Sequence, residues 1–186
     1  MVYLFLANGF EEIEAITPLD ILRRAGKKVV TVGIGKKLIT GAHGIVVETD
    51  ITDGELSIDS FSAAMPEMIV LPGGMPGTQG LKENKTVNFA IKLCNENNIY
   101  IAAICAAPSI LGEMGILSGK RAVCFPGYEK NLKGAIITNN FVEQDGNIIT
   151  AKGAGVSLDF SLKLVEILAG SEKAAELYVS MQCNYG

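Results

Sequence analysis

The sequence predicts an α/β/α sandwich built on a mostly parallel sheet. Short apolar, β-branched runs alternate with longer stretches of helical periodicity along the chain. The opening reads strand, helix, strand, and a βαβ unit implies parallel strands joined by a right-handed crossover. Three of the strand candidates stop at abrupt turns, Asn8-Gly9, Pro72-Gly73-Gly74 and Cys105, and open α/β sheets bind ligands at such carboxyl ends.

Residues 2–7 form the first apolar strand, and residues 11–25 a helix closed by Gly26. Residues 28–34, rich in Val, supply the second strand. Residues 38–40 and 45–48 read as short antiparallel pieces around Gly41-Ala42-His43-Gly44. Residues 67–71 form the third main strand. A helix follows over 84–97, with Val87, Phe89, Ala90, Ile91 and Leu93 as its apolar side. Residues 100–104 are the fourth strand, followed at once by a helix over 106–114. Residues 121–124 and 135–138 read as short strands, and 141–144 with 148–151 as a hairpin turning at Asp145-Gly146. Leu158, Leu162, Val165 and Leu168 mark a core-facing helix ended by Gly170, and Ser171 caps a last helix through Ser180. With neither linker nor repeat, the pattern describes one flavodoxin-like domain over residues 1–186.

Composition narrows the function classes. A hydrophobic content of 48% in 186 residues supports one sizeable core. Twenty-one glycines against six prolines suggest many tight turns. A net charge of -4 argues against nucleic acid and anionic membrane as partners. No stretch reaches the length of a membrane span, and the first strand starts at Val2, so a cytoplasmic protein is expected. The four cysteines have no CxxC spacing and the chain has one histidine, so neither disulfides nor a metal site is expected. Nor is a cofactor.

The segment Ala102-Ala103-Ile104-Cys105-Ala106-Ala107-Pro108-Ser109 carries the chemistry. It reads as a buried strand that stops at a cysteine and turns directly into a helix, with Pro108 in the first turn, where a missing N–H costs nothing. A cysteine there faces free N–H groups and the helix dipole, which favour a thiolate. Small residues at 103 and 107 allow the tight turn of a nucleophile elbow. A buried, inert cysteine is the competing reading. Glu14 borders the buried stripe of the first helix, and Pro18, four residues on, leaves its carbonyl without a helical partner. Burial raises a carboxyl pKa, so a protonated Glu14 is placed to hydrogen-bond the Cys105 sulfur and move a proton. The N–H groups of Gly74 and Ala106 are candidates for an oxyanion hole.

These residues carry a resemblance. Phe10-Glu11-Glu12-Ile13-Glu14, Leu71-Pro72-Gly73-Gly74 and the Cys105 segment together resemble the ThiJ/PfpI superfamily in its DJ-one branch, as do Arg23-Arg24-Ala25-Gly26 and Lys152-Gly153-Ala154-Gly155. The resemblance implies a homodimer with an oxidisable nucleophile at Cys105, hydrogen-bonded to a protonated Glu14. It implies cofactor-independent glyoxalase or deglycase chemistry on small reactive carbonyls, or alternatively an oxidative-stress sensor or chaperone-like protein with little turnover. Cys-His at the elbow marks the protease branch; Ala106 follows Cys105 here, which argues against a cysteine protease. Phe125-Pro126 stands where the branch often has a histidine before a proline, so a second proton carrier is missing. Ala154 stands where a proline is typical. Asp20 and Arg24 reach a partner subunit's site or, more simply, form an i,i+4 surface pair. His43 reads as an exposed loop residue, and Glu11 and Glu12 as acids complementing the helix dipole. Cys94, Cys124 and Cys183 are assigned to structure.

Overall fold

The computed structural model describes residues 1–56 and 58–183. Its strands are β1 (Val2–Leu6), β2 (Val29–Gly33), β3 (Leu38–Thr40), β4 (Val46–Glu48), β5 (Ile51–Thr52), β6 (Met68–Leu71), β7 (Tyr100–Ile104), β8 (Arg121–Ala122), β9 (Ile136–Ile137), β10 (Val142–Asp145) and β11 (Ile148–Ala151). Its helices are α1 (Glu12–Arg24), α2 (Ile58–Ala63), α3 (Gly77–Glu83), α4 (Lys85–Glu96), α5 (Pro108–Glu113), α6 (Ser157–Ala169) and α7 (Ser171–Ser180). Seven strands form the main sheet in the order β10-β11-β7-β6-β1-β2-β5. Every neighbouring pair in it is parallel except the β10–β11 hairpin. β3 and β4 form a separate antiparallel hairpin, and β8 and β9 a short parallel pair.

Side chains alternate across the sheet and divide the core in two, as a period of two requires. Val2, Leu4 and Leu6 of β1, with Met68, Val70, Ala102 and Ile104, pack against Ala15, Ile21 and Leu22 of α1 and Phe160, Leu164 and Val165 of α6. Tyr3, Phe5, Ile69, Leu71, Ile101 and Ala103 face the other way, onto Val87, Ala90, Ile91 and Cys94 of α4 and Ile110 and Leu111 of α5. Both faces of the central strands are buried, which is why those strands read as unbroken apolar runs.

The chain leaves β1 toward β2 on one side and returns to β6 on the other. The switch point therefore lies between β1 and β6. Loop 8–11, Pro72-Gly73-Gly74 and Cys105 follow the carboxyl ends of β1, β6 and β7 there.

Three elements differ from the sequence reading. β5, α2 and α3 lie where no element was predicted. α3 carries Gly77 and Gly80, both poor helix formers. They are glycines because a Cβ on Gly80 would stand 2.9 Å from the Ala7 Cβ, and one on Gly77 would stand 2.6 Å from the Phe10 nitrogen. Close helix–strand packing has overridden helix propensity there. The hairpin turn is also shifted by one residue: Asp145 pairs with Ile148, so Gly146-Asn147 form the turn. Freed from the turn, the Asp145 carboxylate accepts the Arg121 N–H at 3.0 Å. The helix after Cys105 starts at Pro108, not at residue 106.

One buried hydrogen bond ties the 121–125 segment to the sheet. The Thr150 Oγ1 of β11 accepts the Val123 N–H at 3.0 Å, and Thr150 is fully buried. Thr150→Val keeps the shape and orphans that N–H, so urea unfolding is expected to show a loss of about 1–3 kcal/mol.

Candidate active site

Cys105 has φ +65°, in the left-handed region that a residue with a Cβ rarely adopts. Two backbone bonds hold it there. Its N–H donates to the Ala151 carbonyl at 2.9 Å, and its carbonyl accepts the Phe125 N–H at 2.8 Å. The strained turn lifts the side chain off the end of β7 toward α1, as a nucleophile elbow does.

Glu14 arrives from the first turn of α1 and is almost fully buried. Its Oε2 accepts the Gly73 N–H at 2.9 Å. Its carboxyl also hydrogen-bonds the Cys105 side chain and the Ala154 backbone. A Cβ on Gly73 would stand 2.6 Å from the Cys105 Cβ and 2.7 Å from Glu14 Oε2, so only glycine lets the two side chains meet. Gly74, at φ +87°, turns the chain immediately beyond. The N–H groups of Gly74 and Ala106 both hydrogen-bond the Cys105 side chain. The two donors expected at an oxyanion hole thus converge on the sulfur itself.

Burial pushes the Glu14 carboxyl up to about 7, with Glu11 adding to the rise; the bonds from Cys105, Gly73 and Ala154 oppose it. The Cys105 thiol is pushed up to about 12, first by burial and then by the Glu14 charge and hydrogen bond, against the Gly74 and Ala106 N–H groups. A thiol held low by a helix N-terminus is therefore not what the structure has. α5 is six residues long and starts three residues after the sulfur-bearing position. Burial and the neighbouring carboxylate outweigh its dipole. The relevant quantity is the proton shared by the pair. Between about pH 7 and 12 one proton remains, and thiol with carboxylate has the same charge as thiolate with carboxylic acid.

The other sequence candidates fall elsewhere. Arg24 Nε donates to Asp20 Oδ2 at 2.8 Å, an exposed i,i+4 pair on α1. Within this chain neither residue joins Cys105. Glu12 is buried, not a surface acid: its Oε1 accepts the His43 and Ile45 N–H groups at 2.8 and 3.3 Å. His43 is exposed as expected, yet its Nδ1 lies 3.0 Å from Glu12 Oε2 and 3.5 Å from Glu11 Oε1. These bonds fasten the β3–β4 hairpin to the start of α1. The hydrogen bond to Glu12 raises the His43 pKa. Cys94 and Cys124 are buried, and Cys183 is partly exposed. Sequence reasoning missed the Ala154 backbone donor. The Lys152-Gly153-Ala154-Gly155 turn was visible, but not its approach to Glu14.

The raised Glu14 pKa has a thermodynamic consequence. Its folded value of about 7 exceeds the ordinary carboxyl value of 4.5. Its contribution to stability is therefore complete below pH 4.5 and is lost as pH rises through 7. Glu14→Gln has no such slope. The unfolding free energy of the wild type relative to Glu14→Gln is expected to fall by about 3 kcal/mol between pH 4.5 and 8 in urea titrations.

Comparison with known proteins identifies the family and agrees with the fold. The DJ-1/PfpI family profile matches residues 1–167. Protein dj-1beta of Drosophila melanogaster is 35% identical over 175 residues, covering 92% of this chain and 91% of the relative. A protein of Pyrococcus abyssi named a deglycase is 30% identical over 169 residues, covering 90% of this chain and 98% of that one. Protein DJ-1 homolog B of Arabidopsis thaliana is 35% identical across 92% of this chain, but the match spans only 39% of that longer protein. Oxidized DJ-1 of Toxoplasma gondii superposes with a TM-score of 0.91 at 28% identity, covering 99% of this chain and 98% of that one. The chain belongs to the DJ-1/PfpI family.

Proposed function

We propose that this protein is a cofactor-independent enzyme of glyoxalase or deglycase type acting on small reactive carbonyls, with Cys105 as nucleophile and Glu14 as proton carrier. The observation that carries the reading is a buried carboxyl, with a pKa near 7, hydrogen-bonded to the cysteine side chain at a strained elbow. A carboxyl tuned close to working pH suits general acid–base catalysis. The deglycase name of the Pyrococcus abyssi relative supports the substrate class.

In the proposed sequence the Cys105 sulfur adds to the aldehyde carbon of an α-oxoaldehyde. The S–C bond forms, and the carbonyl electron pair moves to oxygen, which takes the one proton shared by Cys105 and Glu14, giving a hemithioacetal and leaving Glu14 as the carboxylate. The Gly74 and Ala106 N–H groups, released from the sulfur as its charge moves, stabilise the developing oxyanion. Glu14 carboxylate then removes the proton from the former aldehyde carbon, and the electron pair moves into an enediol as the neighbouring carbonyl oxygen takes a proton from solvent. Glu14 returns its proton to the adjacent carbon while the hydroxyl on the first carbon gives its proton back to solvent. This oxidises the first carbon to a thioester and reduces the second to an alcohol, so no external oxidant is needed. Water cleaves the thioester and releases a 2-hydroxy acid and the thiol. Methylglyoxal would give lactate.

A homodimer is proposed as well. Ile13 and Ile16 on α1 and Leu38, Ile45 and Val46 on the β3–β4 hairpin are large apolar side chains left exposed. A second copy covering them would bring in Asp20 and Arg24 from the same helix. Among the described residues no helix is long and apolar enough to cross a membrane.

One observation favours a second reading, a peroxide-sensing thiol with little turnover. Cys105 is partly exposed while Cys94 and Cys124 are buried, so an oxidant reaches Cys105 more readily than either of them. A protonated Glu14 would then hydrogen-bond the sulfinate.

Lactate formation from methylglyoxal by protein free of contaminating glyoxalases tests the first reading. Cys105→Ser is expected to abolish it and Glu14→Gln to lower kcat by about 100-fold or more. In the wild type, kcat/KM should rise with pH through about 7 as Glu14 ionises. No lactate from the wild type, with Cys105 oxidised selectively by peroxide in peptide mapping, would replace the enzyme with the sensor.

A further inference from the structure

Two segments that bond to Cys105 each carry or adjoin a large exposed apolar residue. Phe125 is 47% exposed and Met75 is 53% exposed. A single exposed apolar residue is ordinary, but the chain fixes both of these close to the site. The Phe125 N–H is bonded to the Cys105 carbonyl at 2.8 Å. Gly153 lies near both the Phe125 ring and the Glu14 carboxyl. A Cβ placed on Gly153 would stand 3.1 Å from Phe125 Cδ2 and 3.7 Å from Glu14 Oε1. Ring and carboxyl thus both border the space in which a side chain at position 153 would lie. Met75 directly follows Gly74, whose N–H is bonded to the Cys105 side chain.

The chemistry of this surround is uneven. Backbone N–H groups are available for a carbonyl oxygen, and an aromatic face and a pliable thioether are available for a carbon substituent. Neither apolar group can solvate an anion. The Glu11 carboxylate, whose charge already acts on Glu14, opposes a second negative charge in the same place.

We propose that Phe125 and Met75 form an apolar subsite beside Cys105 and Glu14 that selects neutral α-oxoaldehydes carrying an aryl or branched-alkyl group over methylglyoxal and glyoxal. The catalytic part rests on the carbonyl chemistry proposed above; the subsite rests on the placement of the Phe125 ring beside Glu14, with Met75 assigned to it from its place in the loop next to Gly74. Phe125 and Met75 act on substrate choice and take no part in proton transfer.

Two measurements on the full chain separate these parts. The first compares kcat/KM for phenylglyoxal and methylglyoxal in the wild type, Phe125→Ala, Phe125→Leu and Met75→Ala. Wild type is expected to favour phenylglyoxal by about 10-fold or more. Phe125→Ala is expected to shrink that ratio about 5- to 10-fold, chiefly through KM, and Phe125→Leu and Met75→Ala by less. The second needs no turnover: the rates at which N-phenylmaleimide and N-methylmaleimide modify Cys105, followed by peptide mapping. Their ratio is expected to fall several-fold in Phe125→Ala. An unchanged ratio in both measurements overturns the subsite. A ratio that depends on Phe125 with the maleimides, while neither aldehyde is consumed, supports the subsite and overturns the carbonyl chemistry.

Discussion

Between the Cys105 Cβ and the Glu14 Oε2 there is space for the hydrogen of Gly73 and nothing larger. The same glycine donates its N–H to that oxygen and offers its carbonyl to the Glu11 N–H. Position 73 thus sets the approach of β6 to α1 and the separation of sulfur from carboxyl together. Neighbouring features follow from that approach. Gly74 has a positive φ and no room for a Cβ where loop 8–11 lies against it, and the start of α1 is seated by the backbone bond from the Glu11 N–H. The reactive pair is a by-product of how closely three strand ends converge at the switch point.

Much of this was legible in the sequence. The alternation of apolar runs with helical periodicity set the sheet and its layers, because both faces of β1, β6 and β7 are buried. Cys105 and Glu14 were legible for local reasons: a strand ending at a cysteine before Ala-Ala-Pro, and a glutamate on a buried stripe. Contacts between distant segments were not. His43 and Glu12 are 31 positions apart, and nothing in either neighbourhood says that a hairpin folds back onto a helix start. α3 was hidden because its glycines serve packing against Ala7 and Phe10, a tertiary reason that looks locally like a turn. The direction of the thiol shift was misread for a similar cause. A sequence shows the helix that would favour a thiolate, but not the desolvation that opposes it.

The electrostatics belong to the pair and not to either residue. Glu14 is raised because it is buried, and Cys105 is raised by its own burial and then by the Glu14 charge beside it. Once an electrophile takes up the charge of the sulfur, the repulsion that held the proton disappears. Reactivity is thereby coupled to encounter with a reacting group. The resting site is quiet without being inert.

The left-handed backbone at Cys105 has a further implication for how the protein tolerates change. A glycine would occupy that conformation without the steric cost, on the order of 1 kcal/mol, that a Cβ brings. That relief would come at the loss of the sulfur, leaving the Glu14 carboxyl and the Gly74 and Ala106 N–H groups without their shared partner. The strained turn is thus held in place by the very polar contacts that make the thiol reactive, so that strain and chemistry stand or fall together.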